Sequence, residues 1–143
     1  MNVPCMIVCE RSGRWAVALA PHLAPSMRLR QTRSLAECAA VMDRAPASLL
    51  ALEATRENLA GVLALLVDVT KKFPRARAIV LADRGLESYE WLLREAGAVY
   101  FTVSPRGSHD LALLAGRHLE RACAPQADLA AQIWDALPWS EVA

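Results

Sequence analysis

Glu95-Ala96-Gly97-Ala98-Val99-Tyr100-Phe101-Thr102-Val103-Ser104-Pro105 is the stretch whose reading decides the fold. Ahead of it, Leu86, Tyr89, Leu92, Leu93 and Ala96 recur at helical spacing and mark one face of a helix. Gly97 follows the last of them, where a chain leaving a helix favours a residue free of a Cβ. Residues 99–103 read as a strand, and Pro105 and Gly107 as the turn that ends it. Ser108 stands where it can cap a further helix, 109–123.

Working back toward the amino terminus, the same alternation repeats. Residues 76–82 (Ala-Arg-Ala-Ile-Val-Leu-Ala) form an apolar run of strand length, and 83–85 a loop. Residues 58–73 make a strongly apolar helix that stops at Pro74, and 47–52 a buried strand. Ser34-Leu35-Ala36-Glu37 is a capping box opening a helix through Met42. Met27, Leu29 and Gln31 alternate with Arg28, Arg30 and Thr32, the pattern of a half-exposed strand near a sheet edge. Trp15, Leu19 and Leu23 lie on a helix that Pro21 kinks or ends, and 6–9 is the first buried strand. Short apolar strands joined by helices predict an α/β fold with a five-stranded parallel sheet covered on both faces. Such a sheet places its crevice at the strands' carboxyl ends. The loops that matter therefore begin at Cys9, Glu53, Ala82 and Val103.

Composition agrees with a compact domain. Of 143 residues 55% are hydrophobic and 22% charged, and mean hydropathy is +0.21. Sixteen basic against fifteen acidic side chains provide no broad field to attract nucleic acid. The longest apolar stretch, 59–67, falls short of the roughly 20 residues needed to span a membrane. No basic region precedes an apolar core at the amino terminus, and a cytoplasmic protein is expected. Cys5, Cys9, Cys38 and Cys123 match no zinc spacing and read as small buried hydrophobes.

The quoted stretch resembles the end of a response-regulator receiver domain, where Glu-Ala-Gly-Ala is followed by an aromatic and then Lys-Pro. Residues 79–82 are similar to the preceding receiver strand, which usually ends in Thr or Ser. Ile7-Val8-Cys9-Glu10 sits where receivers carry paired acids, and 46–53 resembles the strand that delivers the phosphorylated aspartate. The resemblance covers roughly 5–123. It implies the flavodoxin-like receiver fold for 1–124. Beyond it, Leu129, Ile133, Trp134 and Leu137 read as a short helix over 128–137 that Pro138-Trp139 ends, so 125–143 is expected as a helical tail packed on the domain or on a partner.

Measured against that pattern, most of the phosphorylation chemistry is missing. Cys9 replaces one acid of the pair that holds Mg²⁺ and leaves Glu10, Ala82 replaces the hydroxyl, and Ser104 replaces the lysine. The acceptor position holds Leu52 or Glu53 according to a one-residue choice of register, and Glu53 suits a strand's carboxyl end better. A glutamate there either locks the domain in one signalling state or is a solvated charge at a strand end. Phe101 takes the aromatic switch position, where packing is the plainer role. The resemblance thus implies a pseudo-receiver: no enzyme, no cofactor, no metal site, and a protein partner in bacterial signalling or regulation. The partner surfaces would be the last two receiver helices, the first of them a candidate homodimer face.

Arg11, Arg14, Arg84 and Arg106 either converge on the crevice to bind an anion or a partner, or form a salt-bridged rim with Glu10, Glu53 and Asp83. Cys9 with the nearby arginines suggests an alternative small-ligand or redox sensor. A hydrolase would need a base such as His109 near Cys9, and no signature supports it. In the tail, Trp134 and Trp139 are candidate partner anchors.

Overall fold

The structure, a computed structural model, describes residues 3–123 together with 133, 136 and 137. Five strands, β1 (Met6–Cys9), β2 (Leu29–Thr32), β3 (Leu49–Ala54), β4 (Arg77–Ala82) and β5 (Ala98–Thr102), form one parallel sheet in the order β2-β1-β3-β4-β5. The helices are α1 (Arg14–Leu19), α2 (Leu35–Arg44), α3 (Leu59–Lys72), α4 (Glu90–Ala96) and α5 (Ser108–Cys123). This is the flavodoxin-like order, with its switch point between β1 and β3.

Strand alternation sorts the core into two layers. Ile7, Cys9, Leu50, Leu52 and Val80 face α2, α3 and α4, where they meet Met42, Leu66 and Leu93. Met6, Val8, Leu49, Ala51, Ile79 and Leu81 face α1 and α5, against Trp15, Leu19, Leu111 and Leu119. Each fully buried Leu or Ile contributes about 1.5–3 kcal/mol of transfer free energy. Because both faces are covered, the central strands carry almost no polar side chain until their carboxyl ends. β2 lies at the edge, as expected, but its side chains do not alternate: Arg30 and Gln31 are both exposed, while Thr32, expected on the exposed face, is buried.

Several local expectations are corrected. β3 runs Leu49–Ala54, not 47–52: buried Ser48 accepts the Cys5 N–H on its hydroxyl, so pairing begins at Leu49. The strand then continues through Glu53 and Ala54, which pair with Leu81 and Ala82. The segment after β4 is a 3-10 turn, Arg84–Tyr89, and this tighter winding leaves Tyr89 largely exposed, off the buried face of α4. Ser34 does accept the Glu37 N–H at 3.1 Å, but Glu37 reaches back to the N–H of Arg33 rather than to the cap. Ser108 begins α5 and donates its hydroxyl to the Pro105 carbonyl, while Ser104 caps the intervening 3-10 turn. Cys123 is exposed, unlike the other three cysteines. The helix expected over 128–137, and the tail's Trp134 and Trp139, lie outside the described residues apart from 133, 136 and 137. Among the described residues no helix is long and apolar enough to cross a membrane.

Candidate functional site

The carboxyl ends of β1 and β3 and the amino end of α2 enclose a crevice of about 300 Å³. Cys9, Glu10 and Arg11 line it from β1 and the loop after it, Arg33 and Ser34 from the entry to α2, and Glu53, Thr55, Glu57 and Asn58 from β3 and its loop. The loop after β3 is held by reciprocal bonds. Thr55 N–H donates to Asn58 Oδ1 at 2.7 Å, Asn58 N–H to Thr55 Oγ1 at 3.3 Å, and Asn58 Nδ2 to the Glu53 carbonyl at 2.8 Å.

The register at the end of β3 is explicit. Leu52 is buried in the layer beneath α2 and α3, whereas Glu53 is half-buried and lines the crevice. One carboxylate oxygen of Glu53 lies 3.5 Å from the Arg11 N–H. Glu10 turns the other way. It is 4% exposed, and its oxygens accept the N–H groups of Trp15 and Ala16 at the start of α1. No side chain of α1 caps these amides, so the carboxylate satisfies donors that the helix leaves open. Burial raises the pKa of Glu10, and the Glu53 charge raises it further; the two amides and Arg14 oppose this.

The remaining positions carry no charge into the crevice. Ala82 is fully buried at the end of β4. The Ser104 hydroxyl accepts the Arg106 N–H. Phe101 packs on the layer under α3 and α4. Of the four arginines expected to converge, Arg11 lines the cavity. Arg14 pairs with Asp83 at 3.7 Å, one contact of the expected rim, and its guanidinium lies 5.5 Å from the Trp15 ring centre. Arg84 and Arg106 are exposed in the turns after β4 and β5 and do not line the cavity. His109 stacks edge-on with His22, 5.6 Å between ring centres, away from Cys9. Among the described residues no group of three His, Cys, Asp or Glu side chains is placed to hold a metal ion.

Arg33, Thr55 and Asn58 were not singled out from the sequence. Nor was Cys38, one helical turn into α2, which shares the core layer with Cys9. Its thiol is the leading influence that lowers the Cys9 pKa to about 7, helped by Thr32 and opposed by burial. The same contact, with burial, drives Cys38 up.

No protein-family model matches the sequence, and no curated protein matches it closely enough to name a relative. Solved structures do match. The chain is similar to the CheY-like protein tadZ from Pseudomonas aeruginosa PAO1, with 20% identity and a TM-score of 0.67 over 80% of this chain and 98% of that one. It is similar to a response regulator from Thermotoga maritima, with 17% identity and a TM-score of 0.69 over 83% and 99%. The receiver domain of NtrX from Brucella abortus matches at 25% identity and a TM-score of 0.62 over 80% and 98%.

The fold is that of a response-regulator receiver domain. In a receiver fold the loops after β1 and β3 flank the switch point, and those loops build the crevice here. Likeness at these identities establishes architecture; what the crevice does must be argued from its own side chains.

Proposed function

We propose that this chain is a pseudo-receiver: a protein-interaction module in bacterial signalling or regulation that works without phosphotransfer. The observation that carries the reading is Glu10, the acid left at the metal-holding position, whose oxygens are occupied by amides of α1. The other positions that the resemblance assigns to the chemistry hold the buried thiol of Cys9, the methyl of Ala82 and the capping hydroxyl of Ser104. A hard divalent cation wants several free oxygen ligands, and a phosphoryl group wants donors. Glu53 contributes a negative charge where the resemblance puts the acceptor, which disfavours a second anion there.

The partner-facing surface is α4, β5 and α5. Trp91 is 67% exposed, Val99 44% and Leu113 50%, and this run of large apolar side chains suits a protein partner or a second copy. Trp134 and Trp139 remain candidate anchors, tested by Trp134→Ala with Trp139→Ala, which is expected to weaken partner binding in a chain that stays folded. The primary test is titration with Mg²⁺ and beryllofluoride, a phosphoryl mimic, followed by tryptophan fluorescence. Trp15 is fully buried and its amide is bonded to Glu10, so occupation of the crevice would reach it. No response is expected. A saturable Mg²⁺-dependent change would overturn the proposal.

One observation favours a second reading, a redox sensor. Cys9 lines the crevice and shares a core layer with Cys38, whose thiol is the leading cause of its lowered pKa. A hydroperoxide would oxidise Cys9 to a sulfenic acid, releasing the reduced alcohol or water; attack by Cys38 would then close a disulfide and release water. Mass spectrometry after peroxide treatment separates a Cys9–Cys38 crosslink, which supports this reading, from unchanged thiols, which would remove it.

A further inference from the structure

We propose that the groove between the carboxyl end of α5 and the amino ends of β4 and β5 is the seat of the acidic segment 124–143 of the same chain. The groove encloses about 470 Å³ at the end of the sheet opposite the crevice. Arg75, Arg77, Arg117 and Arg121 line it, with Val99 and Leu114 as apolar surface between them, and among the described residues no carboxylate lines it. Neither ion pair found among the described residues involves these arginines.

Two of the arginines are held in place by the backbone. Arg75 Nη2 donates to the Ala122 carbonyl at 3.1 Å, and Arg77 Nη1 to the carbonyls of Pro74 and Ala76 at 3.1 and 3.0 Å. A guanidinium has five N–H donors, so each keeps capacity for an anion. A neighbouring group registers the field. His118 donates from Nε2 to the Ala47 carbonyl, 2.9 Å away, and its pKa is lowered by burial and also by the charges of Arg77 and Arg121.

The charge that answers this cluster lies in the sequence that follows α5. Residues 124–143 contain Asp128, Asp135 and Glu141 and no Lys, Arg or His, a formal −3. Residues 1–123 hold sixteen basic and twelve acidic side chains, a formal +4. The segment also carries Leu129, Ile133, Trp134, Leu137 and Trp139, apolar groups able to cover Val99 and Leu114. Ile133 is 55% exposed, an apolar side chain with area still to bury. The connection is short, because Ala122 itself lines the groove and Pro125 stops α5 from continuing straight. A ligand tethered this closely acts at an effective concentration on the order of millimolar, so modest contacts suffice. Val99 and Leu114 belong to the α4–β5–α5 face, so a seated segment would cover part of the surface offered to partners. The inference goes beyond the interaction reading and is tested without partner or beryllofluoride.

The experiment is hydrogen–deuterium exchange on the full chain, with circular dichroism to confirm folding. Amides of 124–143 are expected to be protected in the wild type. In Arg117→Glu with Arg121→Glu they should exchange about tenfold faster. Adding Asp128→Arg and Asp135→Arg to that variant should restore protection. If the arginine variant fails to fold, Asp128→Arg with Asp135→Arg alone must produce the same loss. Protection should persist on dilution; loss on dilution would assign the groove to the segment of a second copy and overturn the same-chain seat. An unprotected 124–143 in the wild type, or protection indifferent to charge reversal, would overturn the proposal outright. So would inorganic phosphate that shifts the arginine resonances while leaving exchange in 124–143 unchanged.

Discussion

The carboxylate of Glu10 accepts the backbone N–H of Trp15 through both oxygens, each 3.0 Å away. This side chain thus serves as the cap of α1, five residues downstream. Replacing it leaves buried amides without an acceptor, although it also removes a desolvated charge. Loss of the cap should win, and Glu10→Ala is expected to lower stability by about 1–2 kcal/mol. The pH dependence gives a second check. The folded pKa of Glu10 is raised, so its contribution is greatest below the unfolded carboxylate value and declines as pH rises through the folded pKa. The deficit of Glu10→Ala should therefore be larger at pH 4 than at pH 7, as read from urea midpoints.

His118 gives the opposite slope. Its folded pKa is lowered, first by burial and then by the charges of Arg77 and Arg121, so the folded chain resists protonating it. Its contribution is complete above the ordinary value of 6.5 and is lost as pH falls toward the folded pKa. The His118 ring resonance should titrate below 6.5, and Arg77→Gln should move that midpoint upward. His118→Gln should flatten the stability profile between neutral and mildly acid pH. A midpoint unaffected by Arg77→Gln would mean that burial alone sets it.

The sheet was legible because strand order and layer depend on apolar runs, and those are local. The run Ile79-Val80-Leu81-Ala82 and the Glu95-Ala96-Gly97-Ala98 corner read correctly for this reason. Boundaries were less so. The entry to β3 depends on the Ser48 hydroxyl meeting an amide 43 residues away, and no window of sequence contains both partners. The same holds at the crevice. Cys9 and Glu53 could be placed at strand ends, but the Cys38 thiol beneath Cys9 comes from a helix on a different stretch of chain. The arginines misled because side-chain length lets them turn aside: Arg14 finds Asp83, while Arg33, unremarked in the sequence, lines the cavity. A charge pattern along the chain does not fix where a flexible side chain ends.

Gly97 closes α4 with φ of +130°. A Cβ there would collide with the Thr70 hydroxyl of α3, which itself donates to the Leu66 carbonyl at 2.8 Å. Gly97→Ala combines backbone strain with this overlap and is expected to cost about 2–3 kcal/mol in equilibrium unfolding. Adding Thr70→Ala should recover the overlap part and leave the strain. No recovery would show that backbone conformation alone requires the glycine.

Cys9 offers the test that bears most directly on the crevice. Its pKa is lowered to about 7, with the neighbouring Cys38 thiol as the leading cause, Thr32 assisting, and burial and the charges of Glu37 and Glu53 opposing. In a Cys5→Ala, Cys123→Ser background, thiolate absorbance should therefore rise with a midpoint near 7. Cys38→Ala removes the donor and leaves burial and both carboxylates in force, so the midpoint must climb. Glu53→Gln removes one opposing charge and should lower it slightly. If Cys38→Ala left the midpoint in place, the thiolate would owe its stability to Thr32 and the α2 entry instead. Cys38 would then be a packing residue, and a disulfide between the two sulfurs would lose its chemical motive.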